Sequence, residues 1–291
     1  MSAAPVFLLT DFGTRDVYAG VLRAVVAREA PAAAVHDLTH EVPPQDLHAA
    51  RIALASATPS LPADAVTCAV VDPGVGSDRR AVVVRARRPD GATLWGVGPD
   101  NGLFSPWLGA SRPPYGGAVR ADAAWVLDPA RVGAPGPGTT FDGRDLFAPA
   151  AGRLARGASP EGFADPFDPG ELVRLPAPGP VATRDALEGR VAWIDRFGDV
   201  VTNVPIDELP AGRFAVELAG RRVEGPTQAF ADVPPGQPLA YLGSYGALEI
   251  AVAGGSVASA WGVALDQPLR VVPLDGADDA ANAGAPNVPP S

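Results

Sequence analysis

Carboxylates set directly after apolar runs are the residues of this chain best placed to do chemistry. Thr10-Asp11-Phe12-Gly13 follows Val6-Phe7-Leu8-Leu9, Asp72-Pro73-Gly74-Val75-Gly76 follows the run 66–71, and Gly98-Pro99-Asp100-Asn101-Gly102 follows the run 94–97. In open α/β sheets ligands bind beyond the carboxyl ends of the strands, so parallel pairing of these runs would bring all three loops to one edge. Glycine and proline make each loop a tight turn that lets backbone approach a ligand, and each loop supplies an acid. The Asp11 carboxylate can take both hydroxyls of a ribose diol. Any one Asp or Gly after a strand is an ordinary turn or capping residue, so the argument rests on the three together.

Three further clusters are polar in the same way. Thr139-Thr140-Phe141-Asp142-Gly143-Arg144-Asp145 precedes the apolar-periodic stretch 146–154 and should open a helix, with Asp142 or Asp145 as a possible cap. Asp195-Arg196-Phe197-Gly198-Asp199 and Gly243-Ser244-Tyr245-Gly246 read as turns whose aromatic rings can stack on a base. Other chemistries are disfavoured. Gly74-Val75-Gly76 lacks the third glycine of a dinucleotide fingerprint, and Asp78-Arg79-Arg80 stands where a helix should begin. The histidines are His36, His40 and His48; the first two lie on an extended segment, which does not bring them onto one metal, and no Cys or His elsewhere completes a tetrahedral metal site. No Gly-x-Ser-x-Gly elbow is present, and the single Cys68 sits in an apolar run as a small buried hydrophobe.

The elements that must carry these loops follow from periodicity. The first half alternates short apolar runs with helical patterns at 16–28 and 45–57, an α/β signature with a mostly parallel sheet; Val17, Val21, Leu22 and Val25 share one face of the first helix. Strand runs are expected at 6–9, 35–38, 66–71, 81–85, 94–97 and 125–127. After a Pro-rich stretch, closely spaced runs at 190–194, 200–204, 214–218, 239–242, 248–252 and 269–272 read as a smaller antiparallel, barrel-like β domain. The expected organisation is an α/β domain over 1–175, a linker over 176–185, a β domain over 186–274 and a disordered tail over 275–291, whose composition offers no apolar area to offset ordering entropy. With 33 acidic against 23 basic residues and a net charge of −10, nucleic acid is an unsuitable partner. No leader pattern and no apolar run of spanning length is evident, so a cytoplasmic protein without membrane contact is expected.

Taken in order, Leu9-Thr10-Asp11-Phe12-Gly13, Asp37-Leu38-Thr39-His40, Pro43-Pro44-Gln45-Asp46, the Asp72 and Asp100 loops, Gly143-Arg144-Asp145-Leu146-Phe147-Ala148-Pro149, Ile194 to Asp199 with Thr202-Asn203, and Leu248-Glu249-Ile250-Ala251 resemble the S-adenosylmethionine hydroxide adenosyltransferase family. The resemblance spans residues 6–273. It implies hydrolysis of S-adenosylmethionine at the ribose carbon, giving adenosine and methionine, with no cofactor or metal, in a homotrimer whose sites lie between subunits. It further implies that Asp11 holds the ribose hydroxyls, that Asp195 and Ser244 bind the methionine amine and carboxylate, and that Phe197 and the backbone from Val252 to Gly254 frame the adenine. Halogenating members carry a tyrosine where Asp72 stands, whereas hydrolytic members have an Asp, an Arg seven residues on, and a His; Asp72 and Arg79 match the first two. The histidine is replaced by Asp142, and the Asn of the usual Phe-Gly-Asn is Asp199.

Attack at the ribose methylene expels a neutral thioether from a sulfonium, so no general acid is needed and catalysis rests on holding a water in line and taking its proton. Asp72 and Asp142 can accept that proton while Arg79 stabilises hydroxide character, the base being shared between two acids on one cation. The bland alternative is an ion pair bracing the glycine turn, with Arg79 or Arg80 as the partner of Asp72. Halide attack on the same substrate is the nearest rival, but carboxylates at the nucleophile position repel halide. A non-catalytic S-adenosylmethionine or adenosine binder and a carboxylate-metal phosphohydrolase are the readings from other classes.

Overall fold

The computed structural model describes residues 3–109, 111–117, 119–133 and 140–274. The tail expected over 275–291 lies outside them. Packing divides the chain into two compact units between Ala177 and Pro178.

In the first unit the strands are Val6–Thr10 (β1), Val35–Thr39 (β2), Val66–Val70 (β3), Ala81–Arg87 (β4), Thr93–Pro99 (β5), Arg120–Leu127 (β6) and Ala164–Phe167 (β7), in spatial order β2-β1-β3-β5-β4-β6-β7. Pairing is parallel across β2, β1, β3 and β5 and antiparallel from β5 through β4 and β6 to β7. Five strands therefore point one way and only β4 and β7 run against them, so the sheet is mostly parallel. The carboxyl ends of β1, β3 and β5 share one edge, as the sequence required for its three loops.

Helices cover both faces of this sheet. Leu8, Cys68, Val70 and Val83 turn to one face and pack with Leu22, Val25 and Val26 of Tyr18–Glu29 (α1). Leu9, Ala69, Val82 and Val84 turn to the other, against Ala50 and Leu54 of Leu47–Ala57 (α2). Two covered faces explain why β3 is apolar without alternation, every one of its residues being buried. Pro129–Val132 (α3) follows β6, and Ala148–Ala155 (α4) joins the α1 face through Ala150, Ala151 and Leu154. Val17 departs from the expected apolar face: it precedes the first turn of α1 and is exposed. Burial pushes the Cys68 thiol up to about 12, which leaves it unreactive.

The second unit holds Val181–Ala182 (β8), Leu187–Ile194 (β9), Val200–Pro205 (β10), Phe214–Leu218 (β11), Arg221–Gly225 (β12), Pro238–Leu242 (β13), Ala247–Val252 (β14) and Pro268–Pro273 (β15). All pairs are antiparallel, in the order β12-β11-β15-β9-β10-β14-β13 with β8 also on β9, and the terminal strands β12 and β13 lie close together, so the sheet curls into a nearly closed barrel. Phe214, Val216, Leu248, Ile250, Leu269 and Val271 fill it. Val257–Trp261 (α5) is capped by Ser256, whose hydroxyl accepts from Ser259 N, and ends at left-handed Gly262. Among the described residues no helix is long and apolar enough to cross a membrane.

Candidate active site

Asp72 and Arg79 meet because of the order of the central strands. The chain leaves β3 at Val70, crosses the carboxyl edge over β5 and enters the reversed strand β4 at Ala81, so both residues lie on the crossing segment. Arg79 Nε stands 2.9 Å from each oxygen of Asp72, and its Nη2 also donates to Asp72 Oδ2. Asp72 Oδ1 accepts from Gly74 N at 3.2 Å as well, which ties the ion pair to the glycine turn.

The same Nη2 donates to Asp142 Oδ2, so one guanidinium bridges two carboxylates from distant parts of the chain. Asp142 stands at the head of a π-helical turn over Gly143–Phe147 that runs into α4, yet its side chain makes no capping bond. The helix-cap alternative is therefore not what the carboxylate does. Side-chain exposures are 7% for Asp72, 12% for Arg79 and 25% for Asp142, a graded approach from core to solvent. Burial works against the Arg79 charge, but the hydrogen bonds to Asp72 and Asp142 outweigh it and hold the guanidinium above its usual range. Phe147 lies beneath it, 5.5 Å from guanidinium carbon to ring centre. A cleft of about 720 Å³ opens beside the cluster, lined by Arg79, Asp142, Asp145, Leu127 and Leu146 among others.

Asp11 reaches the same sheet edge from β1. Its Oδ2 accepts from Gln45 N at 2.8 Å, a bond made possible by a left-handed Gln45 with φ of 64°. Phe12 stands edge to face with Phe141, ring centres 5.8 Å apart, so the loop carrying Asp11 is packed against the one carrying Asp142. The third loop behaves differently. Asp100 is buried and accepts from Arg80 Nε at 2.7 Å and Val173 N at 2.8 Å, while Asn101 Nδ2 donates to Val71 O. Arg80, the alternative partner for Asp72, is thus committed to Asp100, and this loop serves the fold.

In the second unit Asp195, Phe197, Asp199, Ser244, Val252 and Gly254 all line one pocket of about 770 Å³. Asp195 Oδ1 accepts from Phe197 N and Asp199 N, each at 2.9 Å, closing a tight turn around left-handed Gly198 and leaving Phe197 75% exposed. Any side chain at Gly198 would collide with Ser256, the cap of α5, so turn and helix are locked together.

Sequence reasoning passed over Tyr241 and gave Glu249 no role; both line the same pocket, as does Tyr245 of the turn expected to offer a stacking ring. Tyr241 and Glu249 are cross-strand partners on β13 and β14, and the phenol donates to Glu249 Oε2 at 2.7 Å. A lone Glu within the apolar run of β14 was the available signal. Burial first, then repulsion from Asp195 and Glu249, pushes the Asp199 carboxyl up to about 6; burial also raises Glu249. Among the described residues no group of three His, Cys, Asp or Glu side chains is arranged to hold a metal ion.

The raised Asp199 value carries a linkage consequence. Between the usual carboxylate range and pH 6 the folded chain binds more protons at this position than the unfolded one, so stability falls as pH rises through that window. Asp199→Asn removes the contribution. Thermal melts of both proteins across pH should coincide near pH 4 and separate above pH 6 with the variant the more stable.

An α/β sheet with an acid–guanidinium–acid cluster at its carboxyl edge, followed by an antiparallel barrel with an acidic aromatic pocket, defines a class of two-unit proteins. Residues 6–164 match the SAM hydroxide adenosyltransferase N-terminal domain and residues 189–270 the C-terminal domain of the same name. The chain belongs to the S-adenosylmethionine hydroxide adenosyltransferase family. It is 46% identical over 277 residues to the (R)-S-adenosyl-L-methionine hydrolase of Thermus thermophilus, covering 92% of this chain and 99% of that protein. The protein of the same name from Salinispora arenicola is 40% identical over 276 residues, with 93% and 99% covered. Among solved structures, an uncharacterized conserved protein from Thermotoga maritima superposes with a TM-score of 0.80 at 30% identity, covering 92% of this chain and all of that one. A conserved hypothetical protein from Thermus thermophilus gives 0.72 at 42% identity, with 92% and 100% covered.

Proposed function

We propose that this protein hydrolyses S-adenosyl-L-methionine, the R sulfonium epimer named for its relatives, at the ribose C5′ to give adenosine and methionine. The observation that carries this reading is Arg79 joined to both Asp72 and Asp142 at the edge where Asp11 also stands. Water attacks C5′ as the carbon–sulfur bond breaks, the bonding pair leaves with the neutral thioether of methionine, and the water proton passes to the Asp72–Asp142 pair. Arg79 keeps negative charge on that pair and stabilises the developing hydroxide. Asp11 takes the ribose hydroxyls. Asp195 and Ser244 receive the methionine amine and carboxylate, and Phe197, Asp199 and the backbone from Val252 to Gly254 frame the adenine.

The enzyme works without cofactor or metal, in the cytoplasm, as a homotrimer with sites between subunits; light scattering at assay concentration should give three times the chain mass. Incubation with each S-adenosylmethionine epimer in water enriched in heavy oxygen tests the reaction. Heavy oxygen in adenosine, formed faster from the R epimer, is the expected result. Methylthioadenosine, S-adenosylhomocysteine or unchanged substrate would overturn the reading, and activity abolished by a chelator would replace it with a metal-dependent one.

A further inference from the structure

We infer that His40 is a positioning residue for the Asp11 carboxylate, holding the Asp11 loop at two points; the inference rests on the reading of Asp11 as the ribose-binding group. The His40 side chain is 2% exposed, and its Nδ1 lies 2.7 Å from Thr10 Oγ1, the residue immediately before Asp11. The same Thr10 oxygen accepts from Phe12 N at 3.2 Å, the residue immediately after. His40 then holds the far end of the loop with its own backbone, its carbonyl accepting from Gly13 N at 2.7 Å where Gly13 is left-handed with φ of 67°. Five residues on, Gln45 N meets Asp11 itself. One segment, 40–45, therefore fixes both the backbone and the carboxylate of the ribose loop.

The anchoring continues away from the site. His40 Nε2 lies 3.0 Å from Asp37 Oδ1. Arg23 of α1 clamps Asp37 with Nε 3.0 Å from Oδ1, and this hydrogen bond holds the Asp37 carboxyl below its usual range. A ring whose Nδ1 accepts the Thr10 hydroxyl carries its hydrogen on Nε2, toward that carboxylate, and leaves the Thr10 lone pairs to Phe12 N. A histidine serving only to fill the core would need none of these contacts to converge on the neighbours of one surface carboxylate.

The test compares kcat/KM for S-adenosylmethionine with that for its 2′-deoxyribose analogue in the full-length enzyme. Asp11→Ala should collapse the preference for ribose. His40→Ala should lower that preference about tenfold, the weight of one hydrogen bond, and His40→Asn should restore most of it because its amide oxygen can accept from Thr10. Thr10→Val, close in shape, should reproduce the loss and serves where His40→Ala does not fold. A folded His40→Ala or Thr10→Val with the parent's preference overturns the inference while leaving the reading of Asp11 intact. Asp11→Ala with an unchanged preference overturns that reading, and the inference with it.

Discussion

Asp142→Asn is expected to lower turnover of S-adenosylmethionine by about 10²–10⁴-fold, the usual scale of general-base assistance, with substrate binding nearly unchanged. The substitution keeps shape and removes charge. Since the Asp142 side chain makes no capping bond, losing its charge should spare the helix that follows, and its partner Arg79 still has Asp72. A steady-state comparison across pH checks this. The same position occupied by His, Asp142→His, should keep appreciable activity, because neutral imidazole accepts a water proton much as a carboxylate does. Parental turnover in Asp142→Asn at every pH would reduce Asp142 to a structural partner and leave Asp72 with Arg79 to activate the water.

Arg79→Ala should be as damaging to turnover and far more damaging to stability. It withdraws the one cation joining two acids, of which Asp72 is 7% exposed, and removing one member of a buried pair costs about 3–5 kcal/mol. Denaturant melts of the variant and the parent read this directly. For catalysis, if both residues act on one water, Arg79→Ala combined with Asp142→Asn should lower turnover by less than the product of the single effects. Fully multiplicative losses would assign the two residues to separate tasks.

The Asp72–Arg79 pair was implied by the resemblance, with Arg80 open as the other partner for Asp72; both candidates lie on the same short segment between apolar runs, so local sequence alone did not choose between them. That Asp142 joins the pair was suggested by resemblance and could not be read from spacing, because the contact spans 63 positions and depends on where β4 enters the sheet. The reversal of β4 leaves no trace in its apolar run, which is buried on both faces like its parallel neighbours. Strand β12 escaped notice because Arg221-Arg222-Val223-Glu224 has the composition of a solvated turn; it is a strand because β11 offers it a full register of partners. The four-residue β7 contains Pro166 and survives at the sheet edge, where a missing N–H is tolerated. The Tyr241–Glu249 contact was hidden for the same reason that the Asp142 contact could not be read from spacing: it depends on strand register. Asp100 shows the converse error, a well-placed acid that the structure spends on Arg80 and Val173.

The Asp100 contact belongs to a longer seam. Glu171 O accepts from Arg80, Val173 N donates to Asp100, Leu175 N donates to Ser105 Oγ, and Pro176 O accepts from Arg51, so a stretch with the composition of a loose connection is stitched to the first unit at nearly every second residue. Across the boundary, Pro178 O is taken by Asn203 Nδ2 of the second unit. For anyone wishing to splice a tag, a fluorophore or a protease recognition sequence into this chain, the stitches define a narrow window. Residues inserted before Ala177 would pull bonds out of the sheet edge that carries Asp72 and Asp100. The Gly179-Pro180 step, clear of both sets of stitches, is where added length should be tolerated.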